Sequence, residues 1–290
     1  MALWQTYLRP KKISDALQAL ATAPKPLALI AGGTDLMLDL KQGRRAPVHT
    51  LLDVSEIEEL LALEIRGEQL FIGAGVNVNR IASDGLILRR AQALTEASTL
   101  IAGPQVRNVA TLGGNVAHAL PAADGTIALL ALNARAEIAA LHGTRLLPLA
   151  ELFLGAGKSA LQSGEEILVG FHLPLAAARQ ASCFKRIMRP QGVALPILNC
   201  AVWLERAGDT MQEIRIAIGP GAPTPYRAME TEKLLAGKPM NAETMQLAQE
   251  SILAHVGFRS SPRRASADYR RHLIEGLFKD VLQAAWERAA

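Results

Sequence analysis

Apolar and polar positions change their rhythm along the chain, and this change divides it into three parts. In the first part a helical pattern at 14–22 precedes two short apolar runs, at 27–30 and 50–54. Ser14 stands where it can cap the helix. Because a helix and apolar strands alternate here, the pattern predicts a small parallel α/β unit over residues 1–60.

Residues 61–177 show a different pattern, in which short alternating segments occur in pairs. Polar, glycine-containing turns at 66–68 and 142–143 separate the members of each pair, which predicts two β-hairpins. The hairpins flank helical patterns at 78–83, 88–97 and 125–132. This part is therefore predicted to be α+β, built on an antiparallel sheet.

The last part, residues 178–290, begins with strands and ends with helices. Alternating segments at 198–205 and 212–218 flank a polar turn and predict a third hairpin. Helical patterns follow at 225–235 and 242–255, and Ser266 is placed to cap a long final helix. The whole chain is thus predicted to have an α+β fold.

Composition narrows the class of protein. The chain has 290 residues, of which half are hydrophobic and a fifth are charged, as is ordinary for a globular protein. It has no run of roughly 18 apolar residues that would indicate a membrane span, and its start lacks a signal-peptide pattern. Cys183 and Cys200 lie in apolar surroundings, which predicts buried, reduced thiols in a cytoplasmic protein. Two separated cysteines cannot hold zinc or an iron–sulfur cluster, so we expect no metal site in this chain.

Positive charge is concentrated near the C-terminus, although the net charge of the chain is only +4. This region allows three interpretations: a nucleic-acid patch, a docking surface for an acidic partner, or a solvated helix start offset by Asp268 and Glu275. No aromatic residues alternate with the basic ones, so nucleic acid is not expected as a partner. The residues concerned are Arg259, Arg263, Arg264, Arg270 and Arg271.

Two double-glycine loops carry the strongest local signal for chemistry. The first, at 31–36, follows an apolar strand, and the second, at 111–115, follows a polar stretch. Glycine permits the positive φ values that turn consecutive backbone N–H groups towards one point. Thr34, Thr111 and Asn115 add side-chain donors suited to phosphate oxygens. The alternative is a pair of ordinary tight turns.

Other motifs for nucleotides or catalysis are incomplete. The Gly73-Ala74-Gly75 segment lacks the later glycine of a dinucleotide-binding fingerprint, and the P-loop-like segment at 157–159 lacks the first glycine of that motif. The chain has no nucleophile elbow and no paired histidines at metal-binding spacing. We therefore predict no catalytic residue in this chain.

Three titratable residues have two interpretations each. His118 follows the second loop, where it is either a cofactor contact or an ordinary surface or core residue. Asp124 can accept hydrogen bonds from a ribose hydroxyl or cap the helix that follows it. Lys185 can stabilise negative charge on a reduced flavin or face solvent on an edge strand.

The glycine loops and several other segments together resemble the FAD-binding medium subunit of molybdenum hydroxylases, the group that contains xanthine dehydrogenase and carbon monoxide dehydrogenase. These segments occur in the same order and spacing, at 31–36, 105–115, 164–168 and 266–271. The resemblance implies a two-lobed PCMH-type FAD-binding domain, with lobes at 1–60 and 61–177. An α+β C-terminal domain like that of the carbon monoxide dehydrogenase flavoprotein, with a small antiparallel sheet plus helices, follows at 178–290.

The resemblance also implies which residues bind FAD. The glycine loops hold the diphosphate, and an aspartate, a lysine, a backbone position and a residue beside the flavin ring complete the site. In this sequence the implied set is Leu29, Ile30, Ala31, Gly32, Gly33, Thr34, Asp35, Leu36, Ile101, Thr111, Gly113, Gly114, Asn115, Asp124, Leu168 and Lys185.

Partners and reaction follow from the same resemblance. It implies a small [2Fe-2S] subunit and a large molybdopterin subunit, assembled as a dimer of heterotrimers. Electrons would pass from molybdenum through the clusters to FAD in this chain, and then to NAD, oxygen or another acceptor. The implied reaction is oxidation of a purine, an aldehyde or an N-heterocycle in another subunit. One alternative is a stand-alone PCMH-type flavin oxidoreductase with its own substrate. Another, motivated by the basic C-terminal region, is a non-catalytic nucleotide-binding or scaffold module.

Departures from the family pattern qualify these expectations. Residues 190–194 lack the acidic-aromatic pair that many members carry, which leaves the residue that shields the flavin ring unassigned. The first loop reads Gly-Gly-Thr-Asp instead of the Gly-Gly-His-Ser typical of carbon monoxide dehydrogenases, which disfavours that substrate. The four-cysteine insertion of the benzoyl-CoA reductase branch is missing, so no additional cluster is expected.

Overall fold

A computed structural model describes residues 2–190, 195–262 and 264–290. Its first part is a parallel three-stranded sheet in the order β1-β3-β2, which confirms the predicted parallel unit. The predicted cap at Ser14 is wrong, because helix α1 already begins at Ile13 and Lys12 occupies the N-cap position. The elements are β1 (Thr6–Leu8), α1 (Ile13–Thr22), β2 (Leu27–Ile30), α2 (Leu36–Lys41), β3 (Thr50–Asp53) and α3 (Glu58–Leu61).

The second part contains an antiparallel five-stranded sheet in the order β4-β5-β10-β6-β7, and both predicted hairpins are confirmed. The pattern at 88–97 forms two helices because Ala91, with φ −150°, leaves the helical conformation between them. The elements are β4 (Leu63–Arg66), β5 (Gln69–Gly73), α4 (Val78–Ser83), α5 (Gly85–Arg90), α6 (Gln92–Leu100), α7 (Pro104–Arg107), α8 (Leu112–Ala117), α9 (Asp124–Ala131), β6 (Arg135–Ala140), β7 (Gly143–Pro148), β8 (Phe153–Gly155), β9 (Lys158–Ser159) and β10 (Ile167–Pro174).

The third part is an antiparallel sheet in the order β11-β12-β13-β14, covered by helices. Ser266 caps the final helix by accepting a hydrogen bond from the backbone N–H of Tyr269, as predicted. The helix predicted from residue 225 begins at Met229, because the strand-forming residues Tyr226 and Arg227 pair with β13. The elements are β11 (Gln180–Ile187), β12 (Leu198–Ala207), β13 (Thr210–Gly219), β14 (Tyr226–Arg227), α10 (Met229–Leu235), α11 (Ala242–His255) and α12 (Ala267–Arg288).

The second and third parts share one hydrophobic core. Phe184, Ala201 and Trp203 of the third sheet belong to the same buried cluster as the apolar residues of the second part. Helix α9 lies between them and is buried along its whole length, which explains why its last five residues, from Ile127 on, are all apolar. This shared core fixes the position of the third sheet beside the segments that precede α9. Among the described helices, none combines the length and apolar character that crossing a membrane requires.

Candidate functional site

A cavity of about 870 Å³ lies where the three parts of the chain meet. Its size falls within the range of about 300–1,000 Å³ that is usual for cofactor and small-molecule sites. Both glycine loops contribute to its wall, as do segments of the third part around Arg186, Pro196 and Pro220. Of the residues predicted to bind FAD, all line this cavity except Gly113, Leu168 and Lys185.

The first loop offers free backbone donors to this cavity. Gly33 has a φ of +68°, a left-handed conformation that favours glycine. A Cβ atom on Gly32 would lie 2.0 Å from the carbonyl oxygen of Val109, so only glycine allows the two segments to approach this closely. The backbone N–H groups of Gly32, Gly33 and Thr34 donate to no other described residue. They are therefore available to an anion.

The second loop is built differently, and the expectation that its backbone N–H groups face a phosphate is wrong. The N–H groups of Leu112 and Gly113 donate to the carbonyl oxygens of Val76, at 3.0 Å, and Ala74, at 2.8 Å. The N–H of Gly114 donates to the Thr111 hydroxyl oxygen at 3.1 Å. The bond to Thr111 caps helix α8, and the other two join the start of the helix to residues 74–76. Together they occupy the donors that the glycine pair was expected to offer. What the second loop presents to the cavity is therefore side chains and space.

Three features of the second loop fit a bound dinucleotide. Gly114 leaves space, since a Cβ atom there would meet only the Thr111 hydroxyl, at 3.2 Å. The Thr111 hydroxyl keeps its own hydrogen for donation. The Asn115 side-chain oxygen is buried and has no hydrogen-bond partner among the described residues. A buried amide oxygen without a partner is costly, and a hydroxyl group of a sugar or ribityl chain would satisfy it.

His118 connects the two loops from the cavity wall. Its Nδ1 atom lies 3.5 Å from the Asp35 carboxylate at the start of α2. The nearby Asp35 carboxylate raises the pKa of His118, and the same contact lowers the pKa of Asp35. Of the two interpretations of His118, the structure favours a place in the site, because it holds the first loop against the end of α8.

Asp124 forms a buried polar junction between α9 and the third sheet. Its Oδ1 atom accepts a hydrogen bond from Asn199 Nδ2 at 2.7 Å, and its Oδ2 atom accepts one from Arg186 Nη1. Burial raises the pKa of this carboxyl group, while Arg186 and Asn199 oppose the shift. The predicted cap role is wrong, because Ala123 occupies the N-cap position and Asp124 is the first helical residue. The carboxylate lines the cavity and retains lone pairs for a ribose hydroxyl.

Sequence reasoning missed Arg186 and Asn199. The two side chains sit on neighbouring strands, Arg186 on β11 directly opposite Asn199 on β12. Both are buried, and the side chain of Arg186 is only 5% exposed. The available signal was the position of Arg186 two residues after Phe184, on the same face of the strand, because an arginine buried beside an aromatic residue needs a carboxylate partner.

The other predicted ring contacts lie in different surroundings. Ile101 follows α6 and lines the cavity. Leu168 is buried in β10 within the main hydrophobic core. Lys185 is half-exposed on β11, and its Nζ atom lies 3.9 Å from the Asp280 carboxylate on α12, which favours the solvent-facing interpretation. Residues 191–194, where the sequence departs from the family pattern, lie outside the described residues.

Three of the basic residues near the C-terminus line the cavity, whereas Arg271 is exposed outside it and Arg263 lies outside the described residues. Arg259, Arg264 and Arg270 line the same cavity as the glycine loops. Arg270 is only 1% exposed, and its Nε atom donates to the carbonyl oxygen of Ile197 at 3.0 Å. The interpretation as a solvated helix start is therefore wrong for Arg270. No local pattern indicates that these arginines face the cofactor loops, because the two regions are far apart in the chain.

The cysteines are buried free thiols, as expected. Burial raises the pKa of Cys183 to about 12, and Glu96 contributes in the same direction. Burial likewise raises the pKa of Cys200. In the part of the chain that the structure describes, no three histidine, cysteine or acidic side chains come together as a metal site.

Comparison with protein-family models matches nearly the whole chain. Residues 3–176 match the FAD binding domain in molybdopterin dehydrogenase, and residues 182–285 match the CO dehydrogenase flavoprotein C-terminal domain. The chain is 34% identical over 283 residues to the xanthine dehydrogenase FAD-binding subunit of Escherichia coli O157:H7, covering 97% of this chain and 95% of that protein. It is 31% identical over 284 residues to the carbon monoxide dehydrogenase medium chain of Hydrogenophaga pseudoflava, covering 98% of both.

Solved structures show the same fold. The carbon monoxide dehydrogenase of Hydrogenophaga pseudoflava that lacks the Mo-pyranopterin moiety matches with a TM-score of 0.93 and 31% identity, over 99% of this chain and 98% of that one. Quinoline 2-oxidoreductase from Pseudomonas putida 86 matches with a TM-score of 0.89 and 27% identity, over 98% of each chain. With a cavity that fits a dinucleotide, these matches show that the chain belongs to the family of FAD-binding medium subunits of molybdenum hydroxylases, and is an FAD-dependent oxidoreductase subunit.

Proposed function

We propose that this chain is the electron-transfer subunit of a heterotrimeric molybdenum hydroxylase. Its partners in this proposal are a small [2Fe-2S] subunit, which delivers electrons, and a large molybdopterin subunit, where the substrate is oxidised. Bound FAD supplies the redox chemistry between the clusters and NAD or another final acceptor. The near full-length match to proteins described as an FAD-binding subunit and a medium chain supports this division of labour.

The observation that carries the proposal is the convergence of both glycine loops on one cavity. In this site the free N–H groups of the first loop bind the FAD diphosphate, as anions favour such donors. Thr111 and Asn115 contribute side-chain hydrogen bonds, and Asp124 accepts one from a ribose hydroxyl. Ile101 packs beside the ring. Leu168 and Lys185 stay predicted contacts, and Gly113 serves to bring α8 close to Ala74.

The site is assembled from the three proposed domains, 1–60, 61–177 and 178–290. Such an arrangement keeps FAD between lobes that pack against each other through a buried cluster containing Leu52, Leu60 and Phe71. The proposed substrates of the complex are purines, aldehydes or N-heterocycles, and the proposed assembly is a cytoplasmic dimer of heterotrimers. Relatives described as acting on xanthine and quinoline support the purine and N-heterocycle classes.

Purification of the native complex tests this proposal. We expect the chain to co-purify with two further subunits, iron and molybdenum, and its FAD to be reduced by substrate only in their presence. The matched control is the chain produced alone and loaded with FAD, which should bind flavin but oxidise none of these substrates. If the chain alone is reduced by such a substrate and turns it over, it is a stand-alone flavin enzyme and the subunit proposal is wrong.

A further inference from the structure

Three arginines form a cluster on the part of the cavity wall that the third domain contributes. Arg259, Arg264 and Arg270 all line the cavity. Arg270 Nη1 donates a hydrogen bond to the backbone carbonyl oxygen of Arg259, which joins the two residues directly. Burial lowers the pKa of Arg264 and of Arg270, and the charge of Arg259 lowers both further. The three positive charges therefore lie close enough to repel one another.

No carboxylate among the described residues forms an ion pair with any of these three arginines. Other arginine side chains that are partly or fully buried do have such partners, as in the pairs Arg227–Glu232, at 2.5 Å, and Arg186–Asp124. A guanidinium group that is removed from water without a counter-charge is energetically costly. Among the described residues, only backbone carbonyl oxygens compensate the buried Arg270.

The carboxylates that line the cavity are engaged elsewhere. Asp35 contacts His118, Asp124 pairs with Arg186, and Asp39 lies 3.4 Å from Arg44. The cluster thus has no protein anion to balance it within the described cavity wall. A ligand with negative charge would remove the repulsion, and planar guanidinium groups match phosphate oxygens through paired hydrogen bonds.

We propose that Arg259, Arg264 and Arg270 form an anion site that binds the diphosphate of a dinucleotide. The inference rests on the proposed function, because it assumes that the cavity takes FAD. The first loop already offers its free N–H groups to one diphosphate. The cluster therefore binds a second diphosphate, which belongs to a dinucleotide acceptor that enters beside FAD. The same chemistry would also suit the diphosphate of FAD itself, and the experiment distinguishes the two sources.

The test uses the full chain with Arg264→Gln, which removes the charge, and Arg264→Lys, which keeps the charge but loses the planar fork. Arg89→Gln is the matched control, because Arg89 is exposed on α5 and does not line the cavity. Circular dichroism and thermal melting verify that each variant is folded. Arg259→Gln, at an exposed position, replaces Arg264→Gln if the latter does not fold.

Three titrations are compared: FAD into the flavin-free chain, ADP-ribose into the FAD-loaded chain, and inorganic diphosphate into the flavin-free chain. Loss of a charged hydrogen bond predicts weakening by about tenfold or more in Arg264→Gln, with a smaller loss in Arg264→Lys. Weakened ADP-ribose binding identifies a second dinucleotide as the ligand, and weakened FAD binding identifies FAD. Binding in the wild type should also fall with added salt, and less steeply in Arg264→Gln.

The anion site is refuted if all three affinities in Arg264→Gln equal those of Arg89→Gln. This result differs from a failure of the proposed function, in which the wild-type chain takes up no FAD at all. Even in that case, the titration with inorganic diphosphate measures anion binding by the arginine cluster independently of FAD.

Discussion

The buried pair of Arg186 and Asp124 allows a quantitative prediction about how the third part of the chain is joined to the second. Arg186→Met removes the charge but keeps an unbranched, apolar side chain of similar length. The Asp124 side chain, only 3% exposed, would then keep its hydrogen bond from Asn199 but lose its counter-charge. Removal of one partner from a buried pair costs about 3–5 kcal/mol. Because the Asn199 bond persists, we expect a loss near the lower end, about 3 kcal/mol.

The matching double variant Arg186→Met/Asp124→Asn distinguishes charge from packing. Asparagine keeps the shape of the side chain but carries no charge, so the double variant should recover at least about 1 kcal/mol relative to Arg186→Met alone. The free energy of unfolding is measured by urea denaturation of the flavin-free chain, followed by circular dichroism. Burial without Arg186 should raise the pKa of Asp124 further, so protonation favours the folded variant. The deficit of Arg186→Met should therefore shrink as the pH falls.

Two results would refute this reasoning. A loss below about 1 kcal/mol in Arg186→Met would mean that the pair behaves like an exposed one. A double variant that is no more stable than Arg186→Met alone would show that the loss does not come from the uncompensated charge of Asp124.

Further predictions concern the loops and the thiols. Gly32→Ala should lower the melting temperature, because its Cβ would lie 2.0 Å from a backbone oxygen. Gly114→Ala, whose Cβ would have its nearest contact at 3.2 Å, should melt like the wild type but bind FAD more weakly. Equal melting temperatures would contradict the packing argument. Asp35 raises the pKa of His118 above the ordinary histidine value of 6.5. Their contact therefore stabilises the folded loops fully at a pH below 6.5, and this stabilisation is lost as the pH rises through the higher pKa of the folded state. Asp35→Asn should lower the His118 pKa in an NMR titration, and an unchanged value would exclude the contact. With its pKa raised to about 12, Cys183 should resist thiol reagents at about pH 8 in the folded chain and react after denaturation; fast labelling of the folded chain would show that it is accessible.

Local pattern predicted those elements whose signal is confined to a few neighbouring residues. The hairpin turn at Gly143 has a positive φ, and α12 begins at the predicted cap Ser266. Strand β10 escapes prediction, because it lies in the middle of its sheet and is buried on both faces, which removes the alternation that marks a half-buried strand. The break between α5 and α6 at Ala91 likewise leaves no trace in the apolar pattern.

The candidate site could be predicted only in part for a similar reason. The loop glycines are visible in the sequence, but their separate tasks depend on contacts with distant segments, as with Gly32 beside Val109. The N–H groups of the second loop looked free, since their acceptors, including the Ala74 carbonyl oxygen, come from another part of the chain. Arg270 reaches the cavity because α12, which carries it, packs against β11 and β12. Such pairings are properties of the tertiary structure.

FAD titration into the flavin-free chain, in parallel for the wild type, Gly114→Val and Gly276→Val, tests the central claim most directly. Gly114 borders the proposed cradle, whereas Gly276 lies on α12, where an added Cβ atom would meet nothing within 4 Å beyond the backbone of its own helix. We predict that the wild type and Gly276→Val each bind a single FAD with equal affinity. A folded Gly114→Val should bind at least about tenfold more weakly, a loss of about 1.4 kcal/mol. Undiminished FAD binding by folded Gly114→Val would contradict the claim that this cavity holds the flavin.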